Sequence, residues 1–299
     1  MNKTIAMDTA NLHTFIVAAE LKSFSLAAEQ LYLTQPAISK RIAALEAELG
    51  TALFDRIARR ISLTEAGREF LPRARTILNE IEDSRRLIAN LTGSVAGRLS
   101  IGTSHHIGLH RLPSVLRQFS KAYPEVVLDL QFMDSEAACR AVQMGDLELG
   151  IVTLPLEPLA DLHSKLIWPD PLEIVVAHEH PLAKKSRLGF QQLAEHPAIL
   201  PSPGTYTRQL LERSVAKAGG KLGAGMTTNY LETIKMMVGV GLGWSVLPRT
   251  MLDTELVALK IRGIKLTRQL GIVRHQAHTL SNAASAMIAT LQAMNKHGT

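Results

Sequence analysis

The sequence predicts an α + α/β fold, with a small helical part, a long helix and a two-lobed α/β remainder, on three observations. Residues 23–50 carry two short apolar stripes at helical spacing, separated by a tight turn. Residues 64–91 carry one long stripe with spacings of four and three. From Arg98 onward short apolar strands alternate with helical segments, first to about residue 152 and then again from Leu172.

In the first stretch Phe24, Ala27, Ala28 and Leu31 share one helical face, and the small alanines admit a second helix at close range. Tyr32 and Leu33 form the turn. Thr34 caps the next helix, and Pro36 stands in its first turn, where the missing donor is harmless. Ile38, Ile42, Leu45 and Leu49 are its buried stripe, which leaves Gln35, Pro36, Ser39, Lys40 and Ala43 outward, and Gly50 ends it. Short polar side chains beside cations suit a helix that reads base edges and phosphates in a DNA groove. An ordinary helical hairpin with a solvated face has the same spacing, and the residues after Gly50 weigh against it. Leu53–Arg56 and Arg59–Thr64 form an apolar, β-branched hairpin with three arginines within five positions, as a wing set against a phosphate or minor groove requires. Residues 1–66 are therefore expected to be a winged helix-turn-helix, with Ser25, Thr34, Gln35, Pro36, Ser39, Lys40, Arg41, Arg56, Arg59 and Arg60 as DNA contacts.

From Thr64 a helix is expected to about Leu91. Phe70, Ala74, Ile77, Ile81, Ser84, Ile88 and Leu91 take the a and d positions of a two-helix seam, and interleaved charges leave the other faces to water. This predicts a dimerisation helix, since two recognition helices about a two-fold axis read two half-sites. Thr92–Gly97 is a hinge of small residues, so residues 67–96 form a linker. Strands at Arg98–Gly102, Val126–Phe132 and Leu149–Val152 then alternate with helices near Ile107–Ala122 and Glu136–Met144, which argues for parallel α/β architecture. Segments Leu172–Ala177, Ala198–Leu200, Arg208–Ala218, Met226–Thr228 and Leu231–Gly239 repeat the theme. Arg268–Val273 returns before a last helix from Ser281 to about Met294. Two lobes crossed twice by the chain fit this order, lobe I at about 97–165 and 268–299 and lobe II at about 166–267.

Ligands in open α/β sheets sit beyond the carboxyl ends of strands, where helices begin. Thr103-Ser104-His105-His106, Gly204-Thr205-Tyr206-Thr207 and Asn229 stand at such junctions, beside helix N-termini that favour an anion, and Thr153 lies just past a strand end. Ser104, Thr207 and Asn229 each also suit plain helix capping; their convergence is what favours a ligand. A small carboxylate or other small anion is the expected guest, at Thr103, Ser104, His105, His106, Thr153, Thr205, Tyr206, Thr207 and Asn229. His105 and His106, with His110, offer half of a metal set, but no cysteine or acidic cluster stands at ligand spacing, so neither metal nor cofactor is expected.

Residues 11–70 resemble the amino-terminal domain of LysR-type transcriptional regulators, through Phe24-Ser25-Leu26-Ala27-Ala28-Glu29-Gln30-Leu31, Thr34-Gln35-Pro36-Ala37-Ile38-Ser39, Leu53-Phe54-Asp55-Arg56 and Leu63-Thr64-Glu65-Ala66-Gly67. Residues 97–299 resemble that family's effector-binding domain, a fold shared with periplasmic solute-binding proteins, through Leu112-Pro113, Tyr123-Pro124, Gly145-Asp146-Leu147, Val238–Gly243 and Leu247-Pro248. Glu148 stands where the family usually has Asp, and Ser104-His105-His106 departs from its commoner small polar sequence. The resemblance implies an effector-modulated, promoter-binding regulator, a homodimer pairing into a homotetramer, with double-stranded DNA and RNA polymerase as partners.

Bulk charge adds little. The net charge is +6, yet residues 1–96 hold 12 Lys/Arg against 11 Asp/Glu, so DNA binding rests on local clustering. The single cysteine, Cys139, excludes an intrachain disulfide and with it the peroxide-sensing dithiol of one branch of the family; a buried small hydrophobe is expected. The start has no apolar signal-peptide core and no run is long enough to span a bilayer, so a soluble, cytoplasmic, nucleoid-associated bacterial protein is expected instead of an exported solute-binding one. Neither a dinucleotide fingerprint nor a phosphate loop is present, and no nucleophile and base pair up, so the protein is not expected to be an enzyme.

Overall fold

The computed structural model describes residues 7–57, 60–185, 188–223 and 225–297. The chain divides into two compact units, Met1–Leu91 and Thr92–Thr299.

The first unit opens with a helix that the sequence analysis did not anticipate, α1 (Thr9–Leu21), capped by the Asp8 carboxylate on the Ala10 N–H at 2.8 Å. Its signal was the helical spacing of Leu12, Phe15, Ile16 and Ala19, all buried. The expected pair comes next as α2 (Phe24–Gln30) and α3 (Gln35–Leu49), with Thr34 capping α3 and Gly50 closing it at φ 72°. Ile38, Ile42 and Leu45 are fully buried, in one core with Phe15, Phe24 and Phe54. The wing is an antiparallel pair, β1 (Phe54–Ile57) and β2 (Arg60–Leu63). Glu46 on α3 accepts from the backbone N–H groups of Leu53 and Phe54 at 2.8 and 3.2 Å, which ties recognition helix to wing.

The long helix is α4 (Glu65–Asn90), capped by Thr64 on the Gly67 N–H at 3.0 Å. Only glycine fits at 67, because a Cβ there would lie 2.2 Å from the Leu53 carbonyl oxygen. Two expected seam positions face inward instead: Ala74 is buried and the Phe70 ring lies 5.4 Å from that of Phe15. Beyond them Ile77, Ile88 and Leu91 are exposed by 37, 63 and 77%.

The second unit is built on a seven-stranded sheet. Its strands are β3 (Gly97–Thr103), β4 (Val126–Phe132), β5 (Leu149–Thr153), β6 (Leu162–Ala177), β9 (Ser245–Pro248), β10 (Leu256–Leu259) and β11 (Leu266–His275), in the order β10-β6-β11-β5-β3-β4 with β9 also on β6. A two-stranded sheet pairs β7 (Ile199–Leu200) with β8 (Met226–Thr227). The pairings of β3 with β4 and β5 are parallel, as expected; those of β6 and β11 are antiparallel, which the alternation of strands and helices did not predict. Strand β6 runs for 16 residues where only Leu172–Ala177 was expected, its earlier part disguised by Pro169, Pro171 and exposed polar positions. With β11 it forms the two crossings between the lobes, and Gly271 sits at their register shift, where a Cβ would meet the Lys165 carbonyl oxygen at 2.2 Å. The single helix expected near Ile107–Ala122 is two, α5 (His105–His110) and α6 (Leu112–Ala122), because Pro113 in the first turn of α6 disfavours a continuous helix. The other helices are α7 (Ser135–Met144), α8 (Phe190–Ala194), α9 (Tyr206–Lys217), α10 (Leu231–Gly239) and α11 (Asn282–His297). Lobe I packs Ile101, Phe119, Ile151 and Leu291 in its core; lobe II packs Leu172, Phe190, Leu211 and Trp244 in its own.

Candidate functional site

On α3 the outward face is as read: Gln35, Pro36 and Lys40 are exposed and Ser39 half-buried, and Ser25 on α2 and Thr34 at the turn are exposed as well. Arg41 is placed differently. Its Nη1 donates to Thr14 Oγ1 on α1 at 3.3 Å, so its guanidinium braces the helices. Arg56 and Arg60 stand on the wing, in register with Ile61 and Ile57, and Arg59 lies outside the described residues.

A cavity of about 360 Å³ opens between the lobes of the second unit. Ser104, His105, His106, Thr153, Thr205, Thr207 and Asn229 line it together, as expected. Two candidates do not. Thr103 is fully buried with its hydroxyl donating to the Ile151 carbonyl at 2.7 Å, and the Tyr206 ring packs among Cys139 and Val152. The capping alternative fails at three positions. Ser104 precedes α5 without a side-chain cap, Thr205 rather than Thr207 caps α9, and Asn229 accepts from the Ser202 N–H at 2.9 Å and donates to Asp134 at 2.7 Å across the cleft.

The cleft's buried cation was missed. Arg268 on β11 is 5% exposed; its Nε donates to the buried Asp170 at 2.6 Å and its Nη1 to Thr207 Oγ1 at 3.4 Å, while Nη2 is buried with no hydrogen-bond partner among the described residues. Arg111 also donates to Asp170, at 3.2 Å. Two guanidinium groups thus share one carboxylate at the wall of a cavity that Asp134 and Glu136 also line. Burial pulls the Arg268 pKa down, opposed by Asp170, and the group stays a cation. Its signal in the sequence was position: Arg268 alternates with the buried Leu266 and Leu270, so it had to point inward. His106 is buried too, both ring nitrogens without a hydrogen-bond partner among the described residues, and burial followed by the nearby Arg268 lowers its pKa to about 4. Glu136 faces the cavity with its pKa raised by burial while it accepts from the Tyr206 N–H. His105 stacks on Phe132 at 5.4 Å and meets Tyr230 edge-on at 4.8 Å, making an aromatic wall. Cys139 is buried with its thiol pushed up to about 11 by burial.

Residues 9–68 match the family described as bacterial regulatory helix-turn-helix protein, lysR family, and residues 92–296 match the LysR substrate binding domain. The chain belongs to the LysR family. This LysR-type protein is 32% identical over 287 residues to the HTH-type transcriptional regulator CbbR of Rhodospirillum rubrum, covering 94% of this chain and 95% of that one. It is 63% identical over 107 residues to an HTH-type regulator encoded in the ibpB-leuC intergenic region of Azotobacter vinelandii, covering 36% of this chain and 74% of the other. Its fold is similar to that of full-length CbnR crystallised with its target DNA, with a TM-score of 0.61, 21% identity and coverage of 96% and 99%. The LysR-type chain is a DNA-binding transcriptional regulator with an effector-binding domain, and its relatives are transcriptional regulators. Among the described residues no helix is long and apolar enough to cross a membrane.

Proposed function

We propose that this regulator is controlled by a small carboxylate held between the lobes of its second unit, with Arg268 as the anchor. The observation that carries this reading is the buried Arg268 Nη2, a charged donor with no partner among the described residues, at the wall of a polar cavity. One carboxylate oxygen accepts from Nη2, and the hydroxyls of Ser104 and Thr207 donate to the rest of the head group, Thr205 being committed to the Ser202 carbonyl. The body of the ligand packs on the wall of Phe132, His105 and Tyr230. Such a ligand bridges β11 and lobe II to α5 of lobe I, so it binds the closed arrangement better and shifts the population of lobes toward it.

In the first unit, Gln35, Pro36 and Ser39 read bases while Lys40, Ser25 and Thr34 meet phosphates, and Arg56, Arg59 and Arg60 are assigned further phosphate contacts. The exposed stripe of α4 pairs two chains, two dimers form a tetramer on promoter DNA, and RNA polymerase is the partner of the assembled complex. The DNA complex of CbnR supports the first part of this reading.

The experiment is a thermal-shift screen of small carboxylates, each with its neutral amide counterpart, on the full chain and on Arg268→Lys. A carboxylate that raises the melting temperature of the wild type, while its amide does not and the variant responds at least about tenfold more weakly, supports the reading. Equal stabilisation by acid and amide, or an undiminished response of the variant, defeats it.

A further inference from the structure

Where α5 meets α10, the fold brings together three metal-ligating groups from two lobes. His106 and His110 stand four residues apart on α5, so both imidazoles lie on one helix face. Glu232, in the first turn of α10, reaches them from lobe II. His110 Nε2 is 2.9 Å and His106 Nδ1 3.8 Å from Glu232 Oε1, and one ligand atom from each of the three lies within 4.8 Å of the others. Bonds of about 2.1 Å to a tetrahedral zinc-like ion place its ligand atoms about 3.4 Å apart, a spacing that the two carboxylate separations bracket. We infer that His106, His110 and Glu232 form a binding site for a divalent transition-metal ion of the zinc, cobalt or nickel class, clipping lobe I to lobe II.

The donor set suits that class. Imidazole is the preferred partner of these ions, and a pair of histidines at i and i+4 with one carboxylate leaves the fourth position for water. His106 strengthens the assignment, because both its ring nitrogens are buried with no hydrogen-bond partner among the described residues. His110 and Glu232 border a second cavity of about 940 Å³, which gives the ion an entry path and room for a water. Arg268 near His106 opposes a cation, and Asp170 beside it offsets that charge. The sequence could not show this site, because Glu232 is 122 residues from His110 and only lobe packing joins them.

The test titrates the full chain, stripped with chelator, with Zn²⁺ against a chromophoric competitor and with Co²⁺ followed by visible absorption. It is repeated on His110→Ala and Glu232→Gln, both at partly exposed positions whose replacement spares the core, and on His278→Ala, which removes the separate stacked pair of His275 and His278. The expected result is one ion per chain with tetrahedral cobalt bands, affinity lowered at least about 100-fold in His110→Ala and Glu232→Gln, and no change in His278→Ala. Binding that persists undiminished in both site variants, that is lost in His278→Ala instead, or that never reaches one ion per chain overturns the inference. Circular dichroism of each variant separates lost ligands from lost fold.

Discussion

His106 shows how one side chain is held by opposing demands. In the unfolded chain it titrates near 6.5, and in the fold burial and Arg268 hold it near 4, so the folded protein resists taking up a proton that the unfolded chain accepts. The stability this represents is present above pH 6.5 and is lost as the pH falls toward 4. About 3 kcal/mol is expected between those limits. Glu136 acts with the opposite sign, because a raised carboxyl pKa favours the folded state as acid is added. Comparing wild type with His106→Gln by urea unfolding from pH 7.5 to pH 4, with chelator present, cancels Glu136 and leaves the histidine. The variant should lack the acid-induced drop; parallel curves for both proteins would show that His106 takes up a proton in the fold as readily as in the unfolded chain.

At the scale of elements, the proposed DNA reading divides helix α3 between positioning and base recognition. Ser39 and Gln35 carry short polar groups and no net charge, so Ser39→Ala or Gln35→Ala should relax preference among sequences by about 1–3 kcal/mol at one base pair with little change in the salt slope. Lys40→Ala should weaken binding to all sequences alike and lower the slope of log affinity against log salt by about 1. Fluorescence anisotropy against a selected site and a scrambled one, at several salt concentrations, distinguishes the two; uniform loss in all three variants would end the division of labour. Elements were legible where periodicity, cap and terminator agreed. Thr34, Pro36 and Gly50 framed α3, and Thr64 opened α4. Arg41 was legible as a cation on α3 but not as a brace, since its partner Thr14 lies on α1, 27 positions away. The earlier part of β6 and the short strands β9 and β10 were missed because a strand of four residues, or one interrupted by two prolines, carries no period long enough to see. In the cleft the polar residues at helix starts were visible and Arg268 was marked by the face it shares with Leu266 and Leu270, whereas Asp170 and Glu232 depended on which strand or distant helix met them.

At the scale of the whole molecule, the exposed end of α4 asks for a second copy of the chain. A lone helix surface seldom leaves Ile77, Leu87, Ile88 and Leu91 open to water together, and the same stripe continues a face whose earlier positions, Phe70 and Ala74, already serve the core of the first unit. On the proposed pairing the seam starts at Ile77, past the inward-facing Phe70 and Ala74, which shortens the dimer contact that spacing alone implied. Ile88 is the position to break. Ile88→Asp places a charge at the centre of an apolar contact, at a position that is exposed within its own unit, so the monomer should fold and the dimer dissociate. Sedimentation velocity should show the wild type as dimers or tetramers and the variant as monomers with an unchanged circular dichroism spectrum. Because a monomer offers one recognition helix in place of two, its affinity for a site with two half-sites should fall to that for a single half-site, and lengthening the spacer by half a helical turn should no longer matter. A variant that stays dimeric, or that keeps its sensitivity to spacer length, would move the dimer contact away from α4 and leave its apolar stripe to another partner.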